Sequence, residues 1–181
     1  MGEVVSLEQF KQERLFRGSF ARWPRRLDYT PPPGVRLRDL PDRVLAHLAE
    51  LDNAATLALY DLVLGVRGLG PAERFSELPS RQRVEALDSF LFLADQIRFE
   101  LMRRLGWVGD LVVEGRTLLE MAGRGRSIPA GAEAAVPRLL PACPRYHELA
   151  ERLRYEPAAV VRSLIPEALV AFRRHLAGRG A

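Results

Sequence analysis

The sequence contains a single lysine, a single cysteine and no long uninterrupted apolar run, and the last two scarcities each exclude a class of structure. One thiol, Cys143, can form neither an intramolecular disulfide nor a multi-cysteine zinc site. The longest apolar stretch, 54–66, is interrupted by Asp61 and is shorter than the roughly 20 residues that cross a bilayer, so we expect no contact with a membrane. The first residues show no secretory signal pattern, and we predict a cytoplasmic protein.

The patterns of common enzymes and cofactor sites are also missing. The sequence has no Gly-x-Ser-x-Gly, no phosphate-binding glycine loop ending in lysine and no Gly-x-Gly-x-x-Gly after a predicted strand. The histidines His47, His147 and His175 fall on three different predicted helices, where a three-histidine metal site is an alternative to scattered surface histidines. We therefore predict no metal and no cofactor, and the sequence favours a non-enzymatic function while leaving an enzyme open.

The charge is distributed unevenly along the 181 residues, of which 48% are hydrophobic. Residues 1–38 carry 8 basic and 4 acidic side chains, 39–110 carry 8 and 12, and 111–181 carry 11 and 7. The hydrophobic content is sufficient for a compact core. The basic ends either pack against the acidic middle or form a basic surface for nucleic acid.

Apolar residues recur at helical spacing and predict a mostly α fold, a compact bundle of about four to six helices with an N-terminal helical arm and a proline-rich linker. The helix predicted over 80–105 is apolar on more than one side, which marks it as the central helix, and its main stripe is Val84, Leu87, Leu91, Ala94, Ile97, Leu101 and Leu105. A short strand is predicted over 111–113 and a loop over 123–141. The other predicted helices cover 6–22, 39–65, 144–155, 157–164 and 166–177.

Residues 1–38 are predicted to form the arm and linker, and residues 39–181 a single helical domain. Aromatic and arginine side chains alternate in the arm, which Pro24 should end before the extended run Thr30-Pro31-Pro32-Pro33-Gly34. This mixture suits three roles: docking in a partner's groove, binding single-stranded nucleic acid, or packing against the chain's own acidic region, residues 39–110. The predicted partner-binding residues are Phe16, Phe20, Trp23, Arg22, Arg25 and Arg26.

Two carboxylates stand on predicted apolar helices without a basic residue one turn away. Asp61 lies among leucines, and the helical neighbours of Asp88 are Val84, Glu85, Leu91 and Phe92. A carboxylate on a mainly apolar helical turn must find its partner on another element, most often an arginine, or lie at the protein surface. We predict Asp61 and Asp88 as buried polar residues, with a ligand or acid role as the rarer alternative.

Cys143 and His147 are the weak catalytic candidates. Pro144 suits the first position of a helix, which would make Cys143 the N-cap, where the helix dipole stabilises a thiolate, and His147 follows one turn later. This pair has the ingredients of a nucleophile and a base. The alternative is a small buried cysteine at a rigid helix entry.

The function predicted from these patterns is that of an adaptor, regulator or assembly factor acting through protein–protein contact, with a homodimer as one form of that contact. A nucleic-acid-associated protein that uses the arm is the alternative, and a thiol-dependent enzyme or redox protein at Cys143 is the third hypothesis.

Overall fold

The computed structural model describes residues 7–123 and 135–179, and these ranges contain α-helices, two 3-10 turns and no strand. The predicted mostly α bundle is confirmed. Five α-helices have nine residues or more and five are shorter. In chain order they are α1 Leu7–Phe20, α2 Trp23–Leu27, α3 Asp42–Glu50, α4 Asn53–Gly65, α5 Ser80–Arg104, α6 Leu118–Gly123, α7 Tyr146–Leu149, α8 Arg152–Tyr155, α9 Pro157–Ser163 and α10 Ile165–Arg179.

Helix α5 is the central helix, as its two-sided apolar pattern predicts. It packs against α3, α4, α6 and α10, and it buries Phe90, Leu93, Ile97, Phe99 and Leu101. Against α4, the rings of Tyr60 and Phe90 stack with centroids 4.5 Å apart. Its second half is therefore enclosed by other helices, whereas part of its first half faces solvent.

The single helix predicted over 39–65 is two helices, and that expectation was wrong. Leu51 adopts a left-handed conformation with φ 53° that ends α3. Asp52 then caps α4, because its carboxylate accepts a hydrogen bond of 2.8 Å from the amide of Ala55. The apolar spacing continues across the break because α3 and α4 both face the same core.

The N-terminal segment packs against the rest of the chain. Helix α1 crosses α4 so closely that a Cβ on Gly65 would lie 2.6 Å from the Cα of Ser19. Trp23 is fully buried, and its indole Nε1 donates to the carbonyl of Ala58 at 2.9 Å. Helix α1 ends at Phe20, and Pro24 lies in the first turn of the short helix α2, where proline is well tolerated.

The proline-rich linker leads directly into the core. Val35 and Leu37 are buried, and the carbonyl of Val35 accepts a hydrogen bond from the amide of Leu118 at 2.9 Å. One hydrophobic cluster includes Phe20, Trp23 and Leu27 as well as the helices after residue 39. The segment before residue 39 and the helices after it thus share one hydrophobic core.

The second half of the chain is more broken than its sequence predicts. Residues 111–113 form a turn instead of a strand, although Leu111 and Val113 are buried. The helix expected over 144–155 is two single turns, α7 and α8. The pair expected on either side of Pro166 is present as α9 and α10. Most of the predicted loop 123–141, its residues 124–134, lies outside the described residues.

Candidate functional site

Asp61 is buried and forms hydrogen bonds to two other segments of the chain. Its side chain is almost fully buried, with Oδ2 lying 2.7 Å from Nε of Arg26 and Oδ1 accepting from the amide of Ala72 at 2.8 Å. Arg26 also donates to Glu73 at 2.6 Å. Burial disfavours the charged guanidinium, but the bonds to Glu73 and Asp61 outweigh it and raise the pKa of Arg26. The predicted partner on another element is confirmed, and both oxygens of Asp61 are engaged.

Asp88 is exposed, so its prediction as a buried polar residue was wrong. It lies on the side of α5 that faces solvent, whereas Ser89 and Phe90 face the core. Asp95 is one helical repeat further on, where α9 reaches α5, and its Oδ2 accepts from Nε of Arg162 at 3.0 Å. The environment of α5 therefore changes between these two carboxylates.

Cys143 and His147 do not form a nucleophile and base. Cys143 is 3% exposed and His147 is exposed, and no hydrogen bond in the described part of the chain joins them. Burial raises the pKa of the Cys143 thiol, although the amide of Arg145 opposes the shift. The N-cap of α7 is Arg145, so Cys143 does not occupy the N-cap position that the sequence predicts for it. The structure matches the alternative of a small buried residue.

The histidines do not assemble into a metal site. Within the described ranges, no group of three histidine, cysteine, aspartate or glutamate side chains could hold a metal ion. Nε2 of His47 instead lies 2.8 Å from the carboxylate of Asp52, the cap of α4. His175 lies beside Phe172, and His147 has an edge contact with Tyr146. The basic loop around Arg124 and Arg126 is outside the described residues.

The aromatic residues of the arm contact one another in sequence, from a half-buried ring to a fully buried one. The rings of Phe16 and Phe20 are 4.9 Å apart, and Phe20 meets Trp23 edge-on at 4.8 Å. Phe16 is half-buried, and the other two are buried. An interface that used Phe20 and Trp23 as anchors would therefore have to withdraw them from the core.

Part of the arm's positive charge remains on the surface. Arg22 and Arg25 are exposed, whereas Arg26 is occupied by Asp61 and Glu73. Helix α1 adds an exposed face that combines cations with the 59% exposed ring of Phe10. The exposed cations of α1 are Lys11, Arg14 and Arg17.

The first three turns of α5 carry an exposed apolar stripe that the sequence pattern assigns to the core. The exposed fractions of Val84, Leu87 and Leu91 are 55%, 40% and 54%. Their spacing of three and four residues places them on one face of the helix. We call these three residues the α5 stripe. The periodicity found this row but not its exposure. The later residues of the same row, Ala94, Ile97 and Leu101, are buried, and so are Phe90 and Leu93 beside it.

An open cleft of about 320 Å³ lies beside α7, α8 and α9. Its lining is mostly apolar, and Arg138 and Tyr146 are its two residues with polar side chains. None of the sequence-predicted catalytic residues lines it. In the ranges that the structure describes, no helix combines the length and apolarity needed to cross a membrane.

Comparisons with known proteins return no relative: the chain matches no protein-family model, no curated protein and no solved structure.

Proposed function

We propose that this chain is a non-enzymatic, cytoplasmic protein that works by binding another protein through the α5 stripe, as an adaptor, regulator or assembly factor. The observation that carries the proposal is the exposure of Val84, Leu87 and Leu91 on consecutive turns of one helix. Single exposed apolar residues are common on protein surfaces, but a contiguous row of them on one helix face is typical of a contact surface.

The position of the stripe supports a helix–helix contact. The opposite side of α5 is fixed by α3, α4 and α10, so the stripe is presented on a rigid element. A partner helix with its own apolar row can lie along it, because three turns of α5 supply side chains at the spacing used between packed helices. A rigid surface loses little conformational entropy when it binds.

The other candidate groups are already engaged within the chain. Asp61 is held by Arg26 and the amide of Ala72, and the Cys143 thiol is buried with a raised pKa. Neither group supplies a reactive side chain at the surface. These contacts favour a binding function over chemistry at either residue.

The test is capture from an extract of the cells that produce the protein, with tagged full-length chain as bait and nuclease present. We expect a captured protein to disappear when Leu87→Arg and Leu91→Arg are combined, because two guanidinium groups cannot be buried in an apolar contact without partners. The matched control is Val112→Arg with Tyr155→Arg, at positions that are 61% and 82% exposed and do not belong to the α5 stripe. Equal capture by both variants, or none by the wild type, would reject the proposal.

Nucleic-acid binding is the second candidate, favoured by the exposed cations of α1 and α2. Phe10 offers a ring for stacking beside Arg14 and Arg17, and Arg22 and Arg25 extend the basic surface. Anisotropy of a labelled single-stranded oligonucleotide should then fall with salt, and Arg22→Ser with Arg25→Ser should reduce both affinity and salt slope. Unchanged binding in that variant would remove this candidate. Arg26 is kept in these variants because it holds Asp61.

A further inference from the structure

The open cleft beside α7, α8 and α9 has one wall that a short antiparallel bridge fixes to the fold. Leu139, which lines the cleft, pairs with Val108 in this bridge. Next to it, the amide of Gly109 donates to the carbonyl of Arg138 at 2.9 Å. These backbone contacts make the wall rigid, and a rigid wall loses little conformational entropy when a molecule binds to it.

Helix α9 supplies a second part of the lining. Ala158 and Val161 are three residues apart, so they share one face of this helix. Arg162 joins α9 to α5, because its Nε donates to Oδ2 of Asp95 at 3.0 Å. The cleft is therefore lined by two elements that are each tied to another part of the fold.

The volume of the cleft and the character of its lining define a ligand of limited size. A water molecule occupies about 30 Å³ of liquid, so the cleft of about 320 Å³ has room for about ten non-hydrogen atoms. Seven of its nine lining residues are apolar, among them Leu139, Leu153 and Val161. A small molecule with an apolar body can therefore bury much of its surface there.

The charge of the lining indicates the polar group of that molecule. Arg138 is exposed and is the one charged residue among those that line the cleft, and no carboxylate of the described residues pairs with it. By contrast, Arg145 and Arg162 each bind a carboxylate of this chain. A guanidinium matches the geometry of a carboxylate, and the hydroxyl of Tyr146 is a second donor in the lining.

We propose that the cleft binds a small monocarboxylic acid of about ten non-hydrogen atoms, whose apolar body contacts Leu153 and Val161 and whose carboxylate pairs with Arg138. The cleft shares no residue with the α5 stripe, so this ligand is additional to the proposed protein partner and does not depend on it. An amine is disfavoured because Arg138 repels it and no acidic residue lines the cleft. A phosphate dianion is disfavoured because one guanidinium leaves half of its charge without a partner.

The test is isothermal titration calorimetry of the full chain with octanoate, an acid of this size, and with octanamide, which has the same shape but no charge. We expect octanoate to bind with a Kd of about 1 mM and octanamide about fivefold more weakly. Arg138→Gln should weaken octanoate about fivefold and leave octanamide unchanged. The matched control is Arg154→Gln, at an exposed arginine outside the lining, and it should change neither affinity.

Three results of this titration overturn the proposal. The first is no measurable binding of octanoate at about 10 mM. The second is octanamide that binds as tightly as octanoate, and the third is wild-type affinity for octanoate in Arg138→Gln.

Two further variants distinguish the cleft from the exposed apolar side chains of α5. Leu153→Trp places a larger side chain in the cleft and should abolish binding of both octanoate and octanamide. Leu87→Arg with Leu91→Arg should leave both affinities unchanged, because the α5 stripe does not line the cleft. Binding that is lost in the second variant and kept in the first would place the acid on the α5 stripe and overturn the proposal.

Alkylation locates the acid without filling the cleft. Leu153→Cys places a thiol in the lining, and about 10 mM octanoate should slow its reaction with iodoacetamide about tenfold. Val112→Cys, at a position that is 61% exposed and outside the lining, should react at the same rate with and without octanoate. The buried Cys143 should contribute little in either variant. A Leu153→Cys rate that octanoate does not change overturns the proposal.

Discussion

Arg26 and Asp61 join the N-terminal segment to α4 through a hydrogen-bonded ion pair of 2.7 Å between the guanidinium Nε and Oδ2. The Asp61 side chain is 1% exposed and that of Arg26 is 13% exposed, so solvent screens the pair little. The amide of Ala72 occupies the second oxygen, and Glu73 binds the far side of the guanidinium. These contacts connect α2, α4 and the 3-10 turn Ala72–Glu77.

Removing the guanidinium of Arg26 should reduce the stability of the fold. Arg26→Met keeps much of the side-chain volume but leaves Asp61 buried without its partner, and we expect the free energy of unfolding to fall by about 3 kcal/mol. Arg25→Met is the matched control at an exposed neighbour, where we expect a change within about 0.5 kcal/mol. Urea unfolding followed by circular dichroism measures both. Equal effects would mean that the pair contributes no more than a surface charge.

The close approach of α1 and α4 gives a steric prediction. A methyl group at Gly65 would lie 2.6 Å from the backbone of Ser19, so Gly65→Ala should separate the two helices and destabilise the fold by about 1–3 kcal/mol. Gly18→Ala is the matched control, since nothing lies within 4 Å of its Cβ. There the higher helix propensity of alanine should stabilise the fold by about 0.5–1 kcal/mol.

A further variant separates backbone from side-chain contact at this crossing. Ser19→Gly removes the hydroxyl but leaves the Cα atom that the new methyl group meets. It should therefore rescue Gly65→Ala only in part. Complete rescue would assign the conflict to the Ser19 hydroxyl alone. Thermal unfolding of the two single variants and the double variant gives the comparison.

The helices could be predicted from sequence more readily than the sides that they bury. The limits of α5 follow from its long apolar pattern, yet tertiary packing buries only the later part of its main row, Ala94, Ile97 and Leu101. Val84 and Leu91 stay outside because the neighbouring helices cover the later turns of α5. The apolar spacing within α5 does not show how far along this helix its neighbouring helices extend.

The candidate site shows the same limit. The interleaved aromatic and arginine residues of the arm fit a surface and a core equally well at sequence level, because both need helical spacing. Trp23 is buried, and its indole donates a hydrogen bond to the carbonyl of Ala58, 35 residues away. Arg26 forms an ion pair with Asp61. The lack of a local partner for Asp61 was informative, since a carboxylate that is buried requires a contact of this kind.

The cap of α4 predicts a pH dependence at acidic pH. The hydrogen bond from the Ala55 amide is the main reason that the pKa of Asp52 lies below its ordinary value. Burial opposes this shift, and His47 adds to it. Because the pKa is lower in the folded state, the unfolded chain takes up the proton first as the pH falls below about 4. The contribution to stability is complete above the unfolded-state pKa and is lost as the pH falls through the folded-state value.

Two variants separate the cap from its charge. Asp52→Asn keeps an oxygen for the Ala55 amide but cannot titrate, so the difference in stability between pH 5 and pH 3 should decrease. Asp52→Ala loses the cap as well and should cost about 1 kcal/mol at neutral pH. Urea unfolding at each pH measures the change. An unaltered pH dependence in Asp52→Asn would show that other carboxylates dominate acid unfolding.

Cys143 should be unreactive in the folded protein. Its side chain is 3% exposed and burial raises its pKa, so little thiolate forms near neutral pH and a reagent cannot reach it. We expect DTNB to react at least about 100-fold more slowly with the native chain than with the chain in urea. His147→Ala should leave the native rate unchanged, because the exposed imidazole forms no hydrogen bond to the thiol within the described residues. A fast native reaction that slows in His147→Ala would instead establish a nucleophile and base, and it would restore thiol chemistry as the function of this segment.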